Sequence, residues 1–201
     1  MSTEEKKQDD KRYYSIVEGT LRTQVPPNDP EAIERHWKTP DGKEGVKYER
    51  LVQALFGTIT DIQFHDGEYG KNLNITLDPD EDGVSPVISV SASSRYGESI
   101  LKQLRGVSLE KEVRIRPYDF KGTDDKDVRG VEITHRDEEG KFTVKVPNFY
   151  WDYETKKPKN GYPETDEDDK LDWKFYYTKA NKFMVKDIEA HVLPRFSQHG
   201  R

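Results

Sequence analysis

Basic and aromatic side chains alternate with apolar ones in the segment 111–120. Because successive side chains of a strand point to opposite faces, one face would carry two guanidinium groups and two rings. Arginines neutralise phosphates, and aromatic rings stack on bases of any sequence, so this face suits a single-stranded nucleic acid. The residues of the face are Arg114, Arg116, Tyr118 and Phe120.

Further cations occur in two predicted turns and at the start of a predicted helix, in one case together with an aromatic ring. They are Lys71, together with Tyr69, in the turn 65–71, Arg95 at the helix start, and Lys121 and Arg129 in the turn 120–129. All these cations could instead be solvated charges that pair with the many carboxylates of the chain. Tyr96, beside Arg95, suits a hydrophobic core as well as a binding site.

The sequence offers no motif for catalysis. Its five histidines are scattered without zinc-ligand spacing, and it lacks the glycine-rich phosphate loops and the G-x-S-x-G of serine hydrolases. Residues 78–83 match the opening of an EF-hand loop, but its twelfth position is Ser89 rather than Glu. We therefore predict an acidic turn there, with no catalytic residue, no cofactor and no bound metal.

The periodicity of apolar residues indicates which elements position these side chains. Apolar residues in Arg95–Leu104 are spaced as on one face of a helix, with Ser93 or Ser94 as the cap and Gly106 beyond the end. Gly57, inside a long strand, predicts a sharp bend. A short helical turn is expected at 31–38. Strands are predicted at 13–25, 48–65, 71–78, 86–92, 111–120, 128–136 and 141–146.

From residue 48 to residue 136 the predicted order is β-β-β-α-β-β, the order of the OB-fold, a small Greek-key barrel. The predicted fold class is therefore mainly β, an OB-like barrel with an extra N-terminal strand and a C-terminal helix. In such a barrel the ligand lies between the L12 and L45 loops, which correspond here to 65–71 and 120–129.

The chain is expected to divide into four parts: a disordered tail at 1–12, the barrel with its N-terminal extension at 13–148, an irregular acidic segment at 149–172, and a C-terminal helix at 173–201. The aromatic run 149–153 is predicted to cover the open end of the barrel, although it could also supply stacking rings. The helix should pack on the barrel, on a partner or on a second subunit. Its predicted apolar stripe is Tyr177, Ala180, Met184, Ile188 and Val192.

Composition narrows the class of protein further. The 201 residues include no cysteine, which excludes disulfides, thiolate zinc sites and iron–sulfur clusters. No segment is apolar enough to span a membrane, and the N-terminus lacks the apolar part of a signal peptide. We therefore expect a cytoplasmic protein. The net charge is −6, so binding to nucleic acid would require cations gathered in a groove and carboxylates elsewhere.

The strings GTITDIQFHDGEYGKNLNITLD, VISVSASSRYGESILKQL and VRIRPYDFKGTDDKDVRGVEI, about half of the chain, resemble the OB-fold single-stranded DNA-binding proteins of bacteriophages. The resemblance implies sequence-tolerant binding of single strands in replication or recombination, without chemistry or cofactor, in the host cytoplasm. It also implies replication or recombination proteins as partners. Many such proteins end in an acidic tail, whereas this chain has an internal acidic run at 164–172, which we hypothesise occupies the groove when DNA is absent.

Two other functions stay open at this point. The barrel and the C-terminal helix could form a protein-interaction module that binds no nucleic acid. Loop carboxylates could also serve a metal-dependent nuclease, although no ligand set suggests itself. The sequence does not decide between DNA and RNA, and it leaves the oligomeric state undetermined.

Overall fold

The computed structural model describes residues 10–67, 70–166 and 172–197. The fold is mainly β with a helix near the C-terminus, in agreement with the predicted class. The strands are β1 (Lys11–Val17), β2 (Thr20–Gln24), β3 (Ile33–Lys38), β4 (Glu44–Val52), β5 (Leu55–Gly57), β6 (Ile59–Gly67), β7 (Gly70–Leu77), β8 (Ser85–Ser91), β9 (Val113–Lys121), β10 (Asp127–Arg136), β11 (Phe142–Lys145), β12 (Trp151–Asp152) and β13 (Lys157–Pro158). The helices are α1 (Arg95–Leu104), α2 (Trp173–His191) and α3 (Leu193–Ser197).

Most strands of the described residues form two sheets. The larger sheet has the order β3-β4-β2-β1-β8-β7-β6, and its β1–β8 pair is parallel while its other pairs are antiparallel. The smaller sheet has the order β11-β10-β9-β5. The ladders of the described residues leave both sheets open, so the sheets do not close into a barrel.

Gly57 is the point at which the chain passes from one sheet to the other. Its φ of +143° is unfavourable for other residues, and a Cβ there would lie 2.3 Å from Asp78 Oδ1. The same Oδ1 accepts a hydrogen bond from the Thr58 backbone N–H at 2.6 Å. The predicted bend is therefore confirmed, with β5 paired to β9 on one side and β6 paired to β7 on the other.

Three predictions about the N-terminal region were wrong. The predicted strand 13–25 is a hairpin, in which β1 pairs antiparallel with β2. Residues 31–38 do not form a helical turn, because Ile33–Lys38 pairs along its length with β4. Trp37 of β3 lies against Gly45 of β4, where a Cβ would be 2.7 Å from the indole ring. This contact joins two strands of the hairpin, so the helix or strand propensity of residues 31–38 does not reveal it. The predicted strand 48–65 is in fact three strands. The predicted tail 1–12 overlaps β1, and its residues 1–9 lie outside the described residues.

Helix α1 has the predicted bounds and lies against the outer edge of β10. The Ser94 side chain accepts a hydrogen bond from the Gly97 N–H and caps the helix. Further along, the Ser99 hydroxyl accepts from the Val131 N–H at 2.9 Å and donates to its carbonyl at 3.1 Å. The Gln103 amide donates to the same carbonyl and accepts from the Ile133 N–H. The helix thereby supplies hydrogen-bond partners for backbone groups of β10 that are not paired with a neighbouring strand.

Helix α2 packs on the sheets of its own chain. Met184 and Ile188 are fully buried in the common core, together with side chains of both sheets such as Ile75 and Ile133. One member of the predicted stripe was wrong, because Tyr177 is 53% exposed and Tyr176 is buried in its place. No helix within the described ranges is long and apolar enough to cross a membrane.

The aromatic run 149–153 divides between core and surface. Tyr150 is buried against the rings of Phe149, Tyr162 and Phe183, and its hydroxyl donates to Asp187 Oδ2 at 2.6 Å. Tyr153, by contrast, is 71% exposed. The run therefore contributes Tyr150 to the core and leaves Tyr153 at the surface.

Candidate nucleic-acid interface

A cleft of about 990 Å³ runs between α1 and the outer edge of β10, and continues past the end of β11. We call it the first cleft. Its lining includes three of the predicted site residues, Arg95, Tyr118 and Arg129, and four basic or aromatic residues that were not predicted to belong to the site, Lys102, Lys145, Tyr153 and Tyr177.

The register of β9 and β10 places Tyr118 in the first cleft. Tyr118 lies directly opposite Gly130, and a Cβ at Gly130 would be 2.4 Å from the tyrosine hydroxyl. The absence of a side chain at this position lets the phenol ring lie across β10 toward the cleft. A substitution of Gly130 would therefore displace the ring.

Arg129 is held by carboxylates of the neighbouring strand and of its own strand. Its Nε donates to Asp119 Oδ2 at 2.9 Å, and its Nη2 lies 3.4 Å from Asp127. Tyr96 supports this arrangement from α1, since its hydroxyl accepts from the Gly19 N–H at 2.9 Å and donates to Asp119 at 3.4 Å. Tyr96 is therefore a half-buried positioning residue and does not line the first cleft.

Asp127 gathers three of the predicted cations. Its hydrogen bond from Lys121, with Nζ 2.8 Å away, is the main reason why the pKa of Asp127 lies below its usual value. The charges of Arg129 and Arg95 lower this pKa further. The start of α1 and the turn between β9 and β10 are thus joined electrostatically at one end of the first cleft.

A second group of cations surrounds Glu132, whose side chain is 17% exposed. Burial alone would raise the pKa of this carboxyl, but a hydrogen bond from Lys145 and the nearby arginine charges lower it below its usual value. With three cations and one carboxylate, the group has an excess charge of +2. The distances to Glu132 are 3.1 Å from Arg114, 3.3 Å from Arg116 and 3.0 Å from Lys145. We call these four residues the Glu132 cluster.

Exposed rings flank the Glu132 cluster on both sides. Phe120 is 55% exposed, and its ring centroid lies 5.9 Å from that of Tyr118. On the other side, Phe56 is opposite Arg114 in the ladder and packs edge to face on Phe142 at 5.1 Å. The alternation predicted for this strand is confirmed as far as Phe120, despite Pro117.

A second cleft of about 730 Å³ lies between the β6–β7 turn and α2. The predicted residue Lys71 lines it, with Nζ 2.8 Å from Glu189 and 5.8 Å from the Phe64 ring centroid. Ser93, Glu98 and Tyr177 line both clefts, so the two are continuous. The remaining predicted site residue, Tyr69, is outside the described residues, and its placement in the site stays a prediction.

Of the predicted site residues that the structure describes, Arg95, Tyr118 and Arg129 line the first cleft and Lys71 lines the second. The others, Arg114, Arg116, Phe120 and Lys121, line neither of these two clefts. Comparisons with protein-family models, curated proteins and solved structures find no match for this chain. The first cleft is the basis for a proposed function.

Four residues of the first cleft were missed by the sequence analysis. Lys145 could have been found, because it is in a predicted strand and directly opposite Thr134 in the ladder. Tyr153 lies in the aromatic run 149–153, for which stacking rings were the alternative to a cover of the barrel. Tyr177 was assigned to the buried stripe of α2, one residue away from the correct tyrosine. Lys102 gave no signal beyond its place on the polar face of α1.

The described part of the chain contains no group of three or more histidine, aspartate or glutamate side chains that could hold a metal. The acidic string 78–83 serves its own turn, as predicted. Asp80 Oδ1 accepts hydrogen bonds from the backbone N–H groups of Asp82 and Val84, each at 3.0 Å. This carboxylate oxygen is therefore engaged in shaping the connection between β7 and β8.

Proposed function

We propose that the chain is a non-catalytic, sequence-tolerant single-stranded DNA-binding protein that acts in replication or recombination. The observation that carries the proposal is the continuous surface of the first cleft, where cations and exposed rings lie side by side. By its resemblance to bacteriophage proteins, it would act in a host cytoplasm together with replication or recombination proteins. RNA is the alternative single strand.

The charges of the first cleft support this proposal despite the net charge of −6. Four cations line the cleft, against the two carboxylates Glu98 and Glu132. Binding of phosphates to such cations releases counterions, which supplies affinity that does not depend on base sequence. The cations are Arg95, Lys102, Arg129 and Lys145.

The rings of the first cleft supply the second half of the interaction. Tyr118, Tyr153 and Tyr177 line it, and the last two are more than half exposed. Every base has a flat face that can stack on such a ring, but the base must be free of its pairing partner. Stacking platforms beside a basic track therefore favour single strands over duplexes.

We also propose that the strands from β5 to β10 are related to an OB-fold. In that interpretation β5 and β6 are the two halves of one bent first strand, followed by β7, β8, α1, β9 and β10 in the order of that fold. The OB-fold is a partly open barrel. Here α1 lies along the edge of β10, and its side chains Ser99 and Gln103 hydrogen-bond to the backbone of that strand. The first cleft lies beside this contact.

The test is a fluorescence titration with a labelled oligo-dT of about 30 nucleotides, longer than the roughly 4–16 nucleotides bound per OB-fold. We expect tight binding at low salt that weakens as salt rises, with a slope of log K against log salt near −0.7 per phosphate neutralised. A duplex of equal length should bind weakly, and an oligo-U arm tests RNA.

Absence of oligo-dT and oligo-U binding at low salt would overturn the proposal and favour a protein-interaction module. Cleavage of the oligonucleotide on addition of Mg²⁺ would instead favour a nuclease. A ladder of shorter products on a denaturing gel would show such cleavage directly, so the same samples distinguish the three functions.

A further inference from the structure

The exposed face of α2 carries a row of cations toward the second cleft. Lys174, Lys182 and Lys186 line the cleft, and Thr178 occupies the intermediate position at the same four-residue spacing. Each four-residue step advances about 6 Å along a helix. All four side chains are exposed. The Thr178 hydroxyl donates to the Lys174 carbonyl of its own helix, so the cations along this wall of the cleft are the three lysines.

These lysines differ from Lys71, which lines the same cleft, in that they form no ion pair within the described residues. Within the described residues, no ion pair involves Lys174, Lys182 or Lys186, whereas Lys71 is paired with Glu189. The other carboxylates of the second cleft are Glu98, which is paired with Lys102, and Asp66, whose charge acts on Lys71. Lys174, Lys182 and Lys186 can thus meet an anionic ligand without breaking an ion pair within the described residues.

An aromatic residue marks the junction of the two clefts. Tyr177 lines both of them and is 53% exposed. Its ring lies 6.2 Å from that of Trp173, which is 49% exposed at the start of the same helix. A polymer that leaves the first cleft at this point meets a ring first and the lysine row next.

We propose that the single strand bound in the first cleft continues past Tyr177 into the second cleft, where the α2 lysines contact its phosphates. This inference rests on the proposed function and extends it, because it makes the C-terminal helix part of the binding site. The ligand is recognised there by its repeating negative charge alone. Phosphate contacts of this kind position a nucleic acid without selecting its sequence.

The experiment compares Lys182→Ala/Lys186→Ala with the wild-type chain in the oligo-dT titration over a range of salt concentrations. Loss of two phosphate contacts should reduce the salt slope by about 1.4 and weaken binding about 25-fold at 0.1 M salt. The charge-preserving variant Lys182→Arg/Lys186→Arg should restore the slope. If these exposed lysines had only a structural role, neither the alanine variant nor the arginine variant would change the salt slope.

The matched control is Lys38→Ala/Lys43→Ala, which removes the same charge near the β3–β4 turn, at the opposite edge of the large sheet. It should leave the slope unchanged. Wild-type binding with an equal slope in the α2 variant would overturn this inference and leave the proposed function standing. An equal loss in both double variants would overturn it too, since it would reflect net charge. No binding by the wild-type chain would overturn both proposals.

Discussion

Two surfaces of this chain carry the same ionic arrangement on the outer faces of different sheets. In each, one shielded glutamate is surrounded by two arginines and one lysine, which leaves an excess charge of +2. The first is the Glu132 cluster. The second, which we call the Glu49 cluster, consists of Glu49 with Arg22 at 3.8 Å, Arg35 at 3.4 Å and Lys47 at 2.6 Å.

The two clusters differ in their surroundings. Glu132 and Lys145 line the first cleft beside Tyr118. Glu49 lies opposite the exposed Ile33 in the β3–β4 hairpin, and no member of its cluster lines either of the two clefts described above. A triplet of cations around a carboxylate is therefore no evidence of binding by itself, because it also serves to hold strands together. Concavity distinguishes the surface that we propose binds DNA.

The largest expected difference between the two clusters is in DNA affinity after one arginine and one lysine are removed from each. Arg116→Ala/Lys145→Ala should weaken oligo-dT binding about 25-fold at 0.1 M salt, because two phosphate contacts are lost. Arg35→Ala/Lys47→Ala makes the same charge change in the Glu49 cluster and should leave the affinity unchanged. Titrations of both variants under identical conditions check this, and equal losses would remove the distinction between the clusters.

A smaller effect is expected from the rings. Tyr153→Ala should weaken binding about 5-fold, which corresponds to the lower end of the 1–3 kcal/mol range for stacking on one base. Tyr153→Phe keeps the stacking surface and should bind like the wild type. Trp37→Ala removes the ring nearest the β3–β4 turn and should alter stability without altering affinity. An unchanged affinity in Tyr153→Ala would show that this ring does not contact bases.

The smallest effect concerns acid stability, where the two clusters should behave alike. Burial raises the pKa of each glutamate, but the hydrogen bond from Lys145 or Lys47 and the neighbouring positive charges together more than offset it, so both pKa values are lowered. A lowered folded-state pKa stabilises the fold above the unfolded value of about 4.3, and this stabilisation is lost as pH falls.

Glu132→Gln and Glu49→Gln should therefore each reduce the loss of unfolding free energy between pH 7 and pH 3, by up to about 1 kcal/mol. Urea unfolding at the two pH values measures this. Only Glu132→Gln should also tighten oligo-dT binding, because it removes a carboxylate from the first cleft. A gain in affinity for Glu49→Gln would contradict the proposed location of the site.

Elements fixed by local rules were predictable from the sequence. Ser94 and the apolar spacing after it predicted α1 to the residue, and Gly57 predicted the bend because few other residues adopt its backbone conformation. The strand Ile33–Lys38 was missed because its pairing with β4 is a tertiary choice. Tyr177 was misplaced because a one-residue error on a helix rotates a side chain by about 100°.

The candidate site was predictable as a set of residue types but not as a shape. Alternation placed Arg114 and Arg116 on one face correctly, whereas their common partner Glu132 follows only from the register of β9 and β10. The hypothesis that the acidic run 164–172 occupies the groove stays a prediction, because residues 167–171 lie outside the described part of the chain. A deletion of 164–172 that tightens binding at low salt would support it.

The contact between α1 and β10 also bears on how the chain is protected against aggregation with other copies of itself. A strand edge with unpaired N–H and C=O groups is a template for aggregation. At Val131 those groups are occupied by Ser99 and Gln103, and at Ile133 the N–H is taken by Gln103 and the carbonyl by Val146. The helix thus shields the sheet edge beside the first cleft from pairing with a strand of another molecule.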